Sequence, residues 1–364
     1  MNETRTLMIT ALVIMLLSAS VFAQNDRTVR FEDIRALAMG GAGITTLEGF
    51  NAVIYNPASV ARAGNNLDLI CVQVGVGNDI LDMYDFIDEN ESRFDDFDNL
   101  AAEEQQDFLD DLTPWDDNWM GASAQPSIGF TTSGFAAGVY ISGRVDTKID
   151  KGVIASPRVF MKGTIDRVIV LGAATKLPAS FLATLFPNDL HAGISIKLIE
   201  RRTTSIQASA SNTDFENALD SLKEHKKNGF GLDVGLLYDL IPGKVTAGMS
   251  VTDLLASIED HDTHPIVNFG SSYQVGPWLF AADYRDLFFH YGGNMFNRLY
   301  LGAEYSLGKI LLLRGGIAQG YPSIGAGLDF QVVKLEGAIY GFERTGTPGG
   351  DGDYNYAARL KIGF

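Results

Sequence analysis

Residues 354–364 read YNYAARLKIGF, and the reading of this stretch decides the fold. Taken with a period of two, Tyr354, Tyr356, Ala358, Leu360, Ile362 and Phe364 fall on one side of an extended strand, while Asn355, Ala357, Arg359, Lys361 and Gly363 fall on the other. One face suits hydrocarbon and the other suits water. A strand of a soluble sandwich alternates in the same way, so the rest of the chain has to discriminate.

The same alternation recurs upstream. Fourteen strand candidates lie at about 66–77, 122–132, 134–143, 164–175, 190–202, 229–240, 244–252, 266–276, 278–287, 297–307, 309–318, 323–332, 333–343 and 354–364. Within 229–240, Phe230, Leu232, Val234, Leu236, Tyr238 and Leu240 form an apolar face opposite Gly231, Asp233, Gly235 and Asp239. The connections alternate in length. Those at 78–121, 144–163, 203–228, 253–265, 288–296 and 344–353 are long, whereas Ser133-Gly134, Ile241-Pro242-Gly243, Gly276-Pro277 and Leu307-Gly308-Lys309 are tight turns. A barrel with short turns at one membrane face and long loops at the other has this rhythm; a sandwich has no reason to keep it. Two connections depart from it. The fourth, 176–189, carries an apolar run from Pro178 to Phe186 that reads as a short helix at the inner membrane face, and the eleventh, around Gly320-Tyr321-Pro322, is short.

Composition agrees with strands. The 364 residues include 39 Gly and 10% aromatics but only 20% charged residues, and beyond the N-terminus no apolar run approaches the roughly 20 residues a membrane helix needs. Cys71 is the one cysteine, so no intrachain disulfide forms. Residues 1–23 have the form of a secretory signal: Arg5, the apolar run Leu7 to Leu17, then Val21-Phe22-Ala23 before Gln24. The expected mature chain starts at Gln24. Of the net charge of −17, nearly all sits between Asp79 and Asp117, where sixteen acidic residues face Arg93 alone. An acidic chain without a basic stripe is not a nucleic-acid binder.

Residues 24–65 do not alternate like strands. They contain Arg35-Ala36-Leu37-Ala38-Met39-Gly40-Gly41-Ala42-Gly43 and, soon after, Tyr55-Asn56-Pro57-Ala58-Ser59. An R-A-x-x-M-G-G-A stretch followed by Y-N-P-A before the first strand resembles the N-terminal region of the FadL-like outer-membrane superfamily, which includes long-chain fatty-acid transporters, PorV-type secretion proteins and TraF-like barrels. The final strand likewise resembles the C-terminal signal read by the barrel-assembly machinery, with Tyr356 and Phe364 as its aromatics. The resemblance implies an all-β, 14-stranded antiparallel transmembrane β-barrel (66–364) with an N-terminal plug (24–65) inside its lumen, in the outer membrane beside lipid and lipopolysaccharide. It also implies that Gly40, Gly41, Asn56, Pro57 and Ala58 belong to the plug and to the path of a hydrophobic ligand, or that the outer loops serve secretion-system proteins. Fatty-acid transporters commonly carry Gly after Asn-Pro-Ala, where this chain has Ser59.

If the barrel spans a bilayer, charges within strands must point inward, since Arg or Lys facing lipid at the midplane costs about 2–4 kcal/mol. Asp233, Asp239, Asp283, Arg285, Glu304, Arg314, Asp329, Glu336, Arg359 and Lys361 are therefore expected to line the lumen. The acidic segment, a helical loop at about 78–121, places Phe94, Phe97, Ala101, Phe108 and Leu112 at near-helical spacing. It reads as a solvated helix packed on the barrel rim, with a lid for an amphiphile or a divalent-cation bridge to lipopolysaccharide as functional alternatives. A second helical stretch, residues 213–227, offers Lys223, Lys226 and Lys227 as partners for it. Metal and catalytic signals are thin: His261 and His264 lack the rigid helical setting of a zinc motif, the glycine-rich 349–353 suits a hairpin tip, and no Gly-x-Ser-x-Gly elbow occurs. No cofactor and no enzymatic role are expected.

Overall fold

The computed structural model describes residues 31–364 except 91, 94–96, 117, 152–157, 179–185, 210–224, 260–262, 291–293 and 344–351. Fourteen strands form one closed antiparallel barrel in which each pairs with its sequence neighbours and the first closes on the last. They are β1 (Asn66–Gly77), β2 (Met120–Thr132), β3 (Phe135–Asp150), β4 (Arg158–Lys176), β5 (Leu190–Ser209), β6 (Lys226–Ile241), β7 (Val245–Ile258), β8 (Ile266–Val275), β9 (Trp278–Tyr284), β10 (Leu299–Leu307), β11 (Leu311–Ala318), β12 (Tyr321–Asp329), β13 (Val333–Glu343) and β14 (Gly352–Gly363). The closing seam runs from Asp68 opposite Gly363 to Gly77 opposite Asn355. A closed ring leaves no unpaired sheet edge, the condition a strand structure must meet to sit in hydrocarbon.

The two faces are sorted by polarity. Val72, Val74, Ile169, Leu171, Ile194, Ile196, Leu236, Leu301, Leu313 and Leu360 are exposed on the outside, while Asp233, Asp283, Glu304, Arg314 and Arg359 are buried within. The short turns use Gly134, Gly243, Gly276 and Gly308 at positive φ, where a side chain would be strained.

Strand lengths are lopsided, and here the structure corrects the sequence reading. Strands β8 to β13 have 7 to 11 residues, but β3, β4, β5 and β6 have 16, 19, 20 and 16. A tilted strand crosses hydrocarbon with about 9–11 residues, so the surplus projects beyond the barrel at the long-loop end, where Asp150 pairs with Arg158 and Arg158 with Ser209. The expected loops 144–163 and 203–228 are thus largely strand. Charged residues there argue against a lipid-facing strand, yet above the membrane either face of a strand can be polar. Lys226 and Lys227 are the first residues of β6, not part of a helix, and Lys226 pairs with Glu200 of the adjacent strand at 2.7 Å; residues 213–224, with Lys223, lie outside the described residues. So does most of the apolar run 178–186. The eleventh connection is a turn at Gln319 and Gly320, both at positive φ, and Tyr321 and Pro322 open β12.

The acidic insertion forms helices α3 (Asn78–Glu89) and α4 (Ala102–Asp111) with a small apolar core of its own. Met83, Phe97, Phe108, Leu109 and Leu112 pack on Met120 and Ile149, two outward-facing residues of β2 and β3. Phe97, Phe108 and Leu112 belong to the stripe expected there; Ala101 instead is exposed, and Phe94 lies outside the described residues. The carboxylates on the far side face solvent, so the insertion is a helical cap on the outside of the projecting strands.

Candidate functional site

Residues 31–63 pack on the inner wall. Helix α1 (Ile34–Ala38; numbering α1 to α4 in chain order) begins at Asp33, whose carboxylate accepts from the backbone N–H of Arg35 at 2.8 Å and Ala36 at 3.4 Å, so the helix start is satisfied by its own N-cap. It ends in Gly40 and Gly41, at φ 60° and 89°, a reversal that favours glycine. Helix α2 (Ala52–Tyr55) leads to Asn56 and Pro57, which start a 3₁₀ turn (Pro57–Arg62). The Asn56 side chain accepts from Ala58 N–H at 3.0 Å, and proline is tolerated there because a first-turn N–H has no helical partner.

What lets this backbone lie so close to the wall is inward-facing glycine. A Cβ on Gly302 or Gly316 would collide with the backbone of Met39 or Gly40, one on Gly193 with Pro57 and Ala58, and one on Gly235 with the Asn56 amide. Asn56 Nδ2 donates to the Leu236 carbonyl at 3.1 Å. Phe50, Val53 and Val60 complete the contact in a core with Tyr140, Val168 and Val170.

Charge holds the other side. Arg35 grips Glu304 with two bonds of 2.9 and 2.7 Å; Arg314 bridges Glu304 and Glu336, each at 2.7 Å; Arg359 bonds both Glu336 and Asp33. The result is a continuous chain from Asp33 through β14, β13, β11 and β10 back to Arg35. Asp283 accepts from Gly43 and Ile44 N–H at 2.7 and 3.0 Å, and Ser323 accepts from Gly40 N–H at 2.8 Å. Arg285 donates to the Gly41 carbonyl, with its guanidinium 5.1 Å from the Tyr55 ring centre and 4.7 Å from that of Tyr300. A third knot lies further along the wall: Lys197 bonds Asp233 at 2.9 Å and Asp253 at 2.6 Å.

The residues singled out in the sequence therefore divide. Gly40, Gly41, Asn56, Pro57 and Ala58 meet the wall, as do Asp283, Arg285, Glu304, Arg314 and Arg359 from their side; Asp233 serves the Lys197 knot, and Asp329 pairs with Lys334 at 2.6 Å near a short turn. Tyr356 faces outward, its hydroxyl 3.2 Å from Asn78 Oδ1, and exposed Phe364 pairs by its backbone with Leu67. His261 lies outside the described residues. His264 stacks on His290 at 5.1 Å, and among the described residues no cluster of three or more ligating side chains is placed to hold a metal. Sequence reasoning missed Asp33, Arg35 and Ser323 as partners of the wall. Nor did it single out Gly193, Gly302 and Gly316 as contact sites, although each sits at an inward position of a strand, which is the signal that finds them.

For Asp33, burial pushes the carboxyl up, but Arg359, the Asn51 amide and the Arg35 N–H outweigh it and leave it at about 2, below its ordinary 3.8. Its contribution to holding the segment is fully present above pH 3.8 and is lost as the pH falls towards 2. Hydrogen exchange at residues 33–41 is accordingly expected to speed up over that window in the native chain. In Asp33→Asn that part of the pH dependence should be missing; identical profiles in the two proteins would contradict the assignment.

Fourteen antiparallel strands closed around an N-terminal segment, apolar outside and charged within, define a β-barrel of the transmembrane type. Within that class the chain belongs to the TraF family: the family model described as "F plasmid transfer operon, TraF, protein" matches residues 53–284. Among solved structures it is similar to the Pseudomonas putida toluene transporter TodX, with TM-score 0.51 at 12% identity over 94% of this chain and 98% of that one. It is also similar to a TodX deltaS2S3 mutant monoaromatic hydrocarbon channel (TM-score 0.54, 12%, 91% and 98%) and to the CymD monoaromatic hydrocarbon channel (0.50, 13%, 96% and 97%). At these identities the likeness concerns the fold. No curated protein matches the chain.

Proposed function

We propose that the chain is a passive outer-membrane channel for hydrophobic or amphipathic small molecules, exported through a cleaved signal at 1–23 and closed at rest by residues 24–65 acting as a plug. The observation that carries this reading is the mode of attachment: beyond its peptide link to β1, the segment is held by glycine contacts and ion pairs to the wall, which can exchange without breaking the ring. Hydrocarbon channels share the fold, and the expected neighbours are lipid, lipopolysaccharide and, during biogenesis, the barrel-assembly machinery. Deleting residues 30–60 is expected to give a steady conductance in planar bilayers where the native chain gives none. A deletion protein that inserts, shows the heat-modifiable mobility of a folded barrel and stays closed would refute the plug.

The family match favours a second reading, in which the barrel is a non-transport component of a secretion or conjugation apparatus engaged through its outer loops. Uptake of labelled hydrophobic compounds into liposomes separates the two. Transport without stable co-purifying proteins supports the channel; stable partners without transport support the scaffold.

A further inference from the structure

On the outside of the long strands, the apolar face of the barrel stops at one level. Ile169 of β4, Leu198 of β5 and Phe230 of β6 are exposed and stand opposite one another in register. The next outward positions are Arg167, Glu200 and Asn228, again opposite one another, and one step further Arg202 faces Lys226. From Leu190, where β5 begins, to Glu200 is the length of about 9–11 residues with which a tilted strand crosses hydrocarbon. The polar group therefore sits at headgroup depth, on the lipid side of the wall and at the long-loop end.

Three cations share one carboxylate there. Arg202 donates to Glu200 Oε1 from two nitrogens, at 3.0 and 2.7 Å; Lys226 Nζ is 2.7 Å from Oε2; and Arg167 lies 3.6 Å from Oε1, beyond hydrogen-bond distance. Bonds from Lys226 and Arg202 hold the Glu200 carboxyl at about 2, below its ordinary 4.5, so it stays ionised and keeps the cations gathered. Exposed Glu259 accepts from Asn228 N–H at 3.4 Å and still leaves the cations in excess. Exposed ion pairs contribute little to stability, so folding alone does not account for a positive patch on a chain of net charge −17. The Arg167 and Lys226 side chains are 53% and 47% exposed. A guanidinium fork meets two oxygens of a phosphate at once, and an ammonium adds a point charge. What distinguishes this patch from a site for a free ion is its continuity with the apolar row beneath it.

We propose that Arg167, Arg202 and Lys226 form a docking site for the phosphate head of an outer-leaflet glycolipid, whose acyl chains lie along Ile169, Leu198 and Phe230. The site rests on the outer-membrane placement given above, and neither on transport nor on the plug.

The test is titration of the full barrel, purified in neutral detergent, with bisphosphorylated lipid A and with its dephosphorylated form, the lipid retained being counted by native mass spectrometry. One lipid A is expected per barrel, at concentrations about tenfold below those that load the dephosphorylated form, because the charge-assisted contacts are lost with the phosphates. Arg167→Gln/Arg202→Gln/Lys226→Gln should weaken lipid A binding by up to about 100-fold, each cation at an anionic lipid surface contributing about fivefold, and leave the dephosphorylated form unchanged. Arg167→Lys/Arg202→Lys, which keeps the charge, should stay within a few-fold of the parent, and Lys309→Gln, in a turn at the opposite end, should change nothing. Heat-modifiable mobility verifies that each variant is folded. Equal retention of the two lipids, or undiminished lipid A binding in the folded Gln variant, would overturn the proposal. So would displacement of lipid A by inorganic phosphate at similar concentration, which would make this a site for the free ion. Uptake of labelled hydrophobic compounds by the same proteins keeps the readings apart: lipid discrimination without uptake removes the channel alone, and uptake without lipid discrimination removes the site alone.

Discussion

Gly316→Val is expected to unseat the N-terminal segment while leaving the barrel closed as a ring. Gly316 is an inward residue of β11, and a Cβ there would collide with the backbone of Met39 and Gly40, which cannot swing aside as a flexible side chain does. Overpacking of this kind costs about 1–3 kcal/mol or more, and because each 1.4 kcal/mol is tenfold, the undocked population rises by roughly 5- to 150-fold. The lipid-facing surface is untouched, so expression and heat-modifiable mobility should be native. What changes is the closed state: planar bilayers should record channel openings absent from the parent protein. The control is one residue away. Gly315 faces outward, and its nearest neighbour to an added Cβ is the Ser323 carbonyl at 3.8 Å, so Gly315→Val should remain closed. If both variants behave alike, the segment does not close the pore.

Arg359→Met should be the most destabilising single change among the inward charges. Among the described residues, Arg359 is the cation that joins Asp33 of the segment to Glu336 of β13, and both carboxylates are buried. Removing one partner of a buried ionic network leaves uncompensated charge, at a cost of about 3–5 kcal/mol. Urea unfolding followed by tryptophan fluorescence should therefore show a clearly lower midpoint. The combined Asp33→Asn, Arg359→Met protein should recover much of the loss, because it removes one buried charge of each sign and leaves Glu336 paired with Arg314. A single variant within 1 kcal/mol of the parent, or a combination worse than the single change, would contradict this account.

The alternation of residues 354–364, repeated thirteen times upstream, was enough to read the ring from the chain, because a bilayer outside and water inside impose a period of two that few local effects disturb. Strand ends were read well where hydrocarbon sets them and badly where it does not. Residues 144–150 and 203–209 continue as strands above the membrane, where nothing demands an apolar face, so Lys148 and Thr203 read as loop. The lumen charges were legible by elimination, since Glu304, Arg314 and Arg359 had nowhere else to go. Their pairing was not: which carboxylate meets which guanidinium depends on the shear of the ring and on the path of residues 31–63, neither of which is written in local pattern. Inward glycines were visible as letters but not as seats. Only the structure shows that Gly193, Gly235, Gly302 and Gly316 hold one segment.

The ionic chain from Asp33 to Arg35 also bears on the order of biogenesis. Its wall-side members, Glu304, Arg314, Glu336 and Arg359, all belong to the last five strands, whereas the residues they hold are among the first to leave the ribosome. Asp33 and Arg35 have no wall-side ionic partner until the C-terminal third of the polypeptide has been threaded into the bilayer. The pairing of Asp33 with Arg359 therefore waits for β14, the strand that also closes the ring on β1.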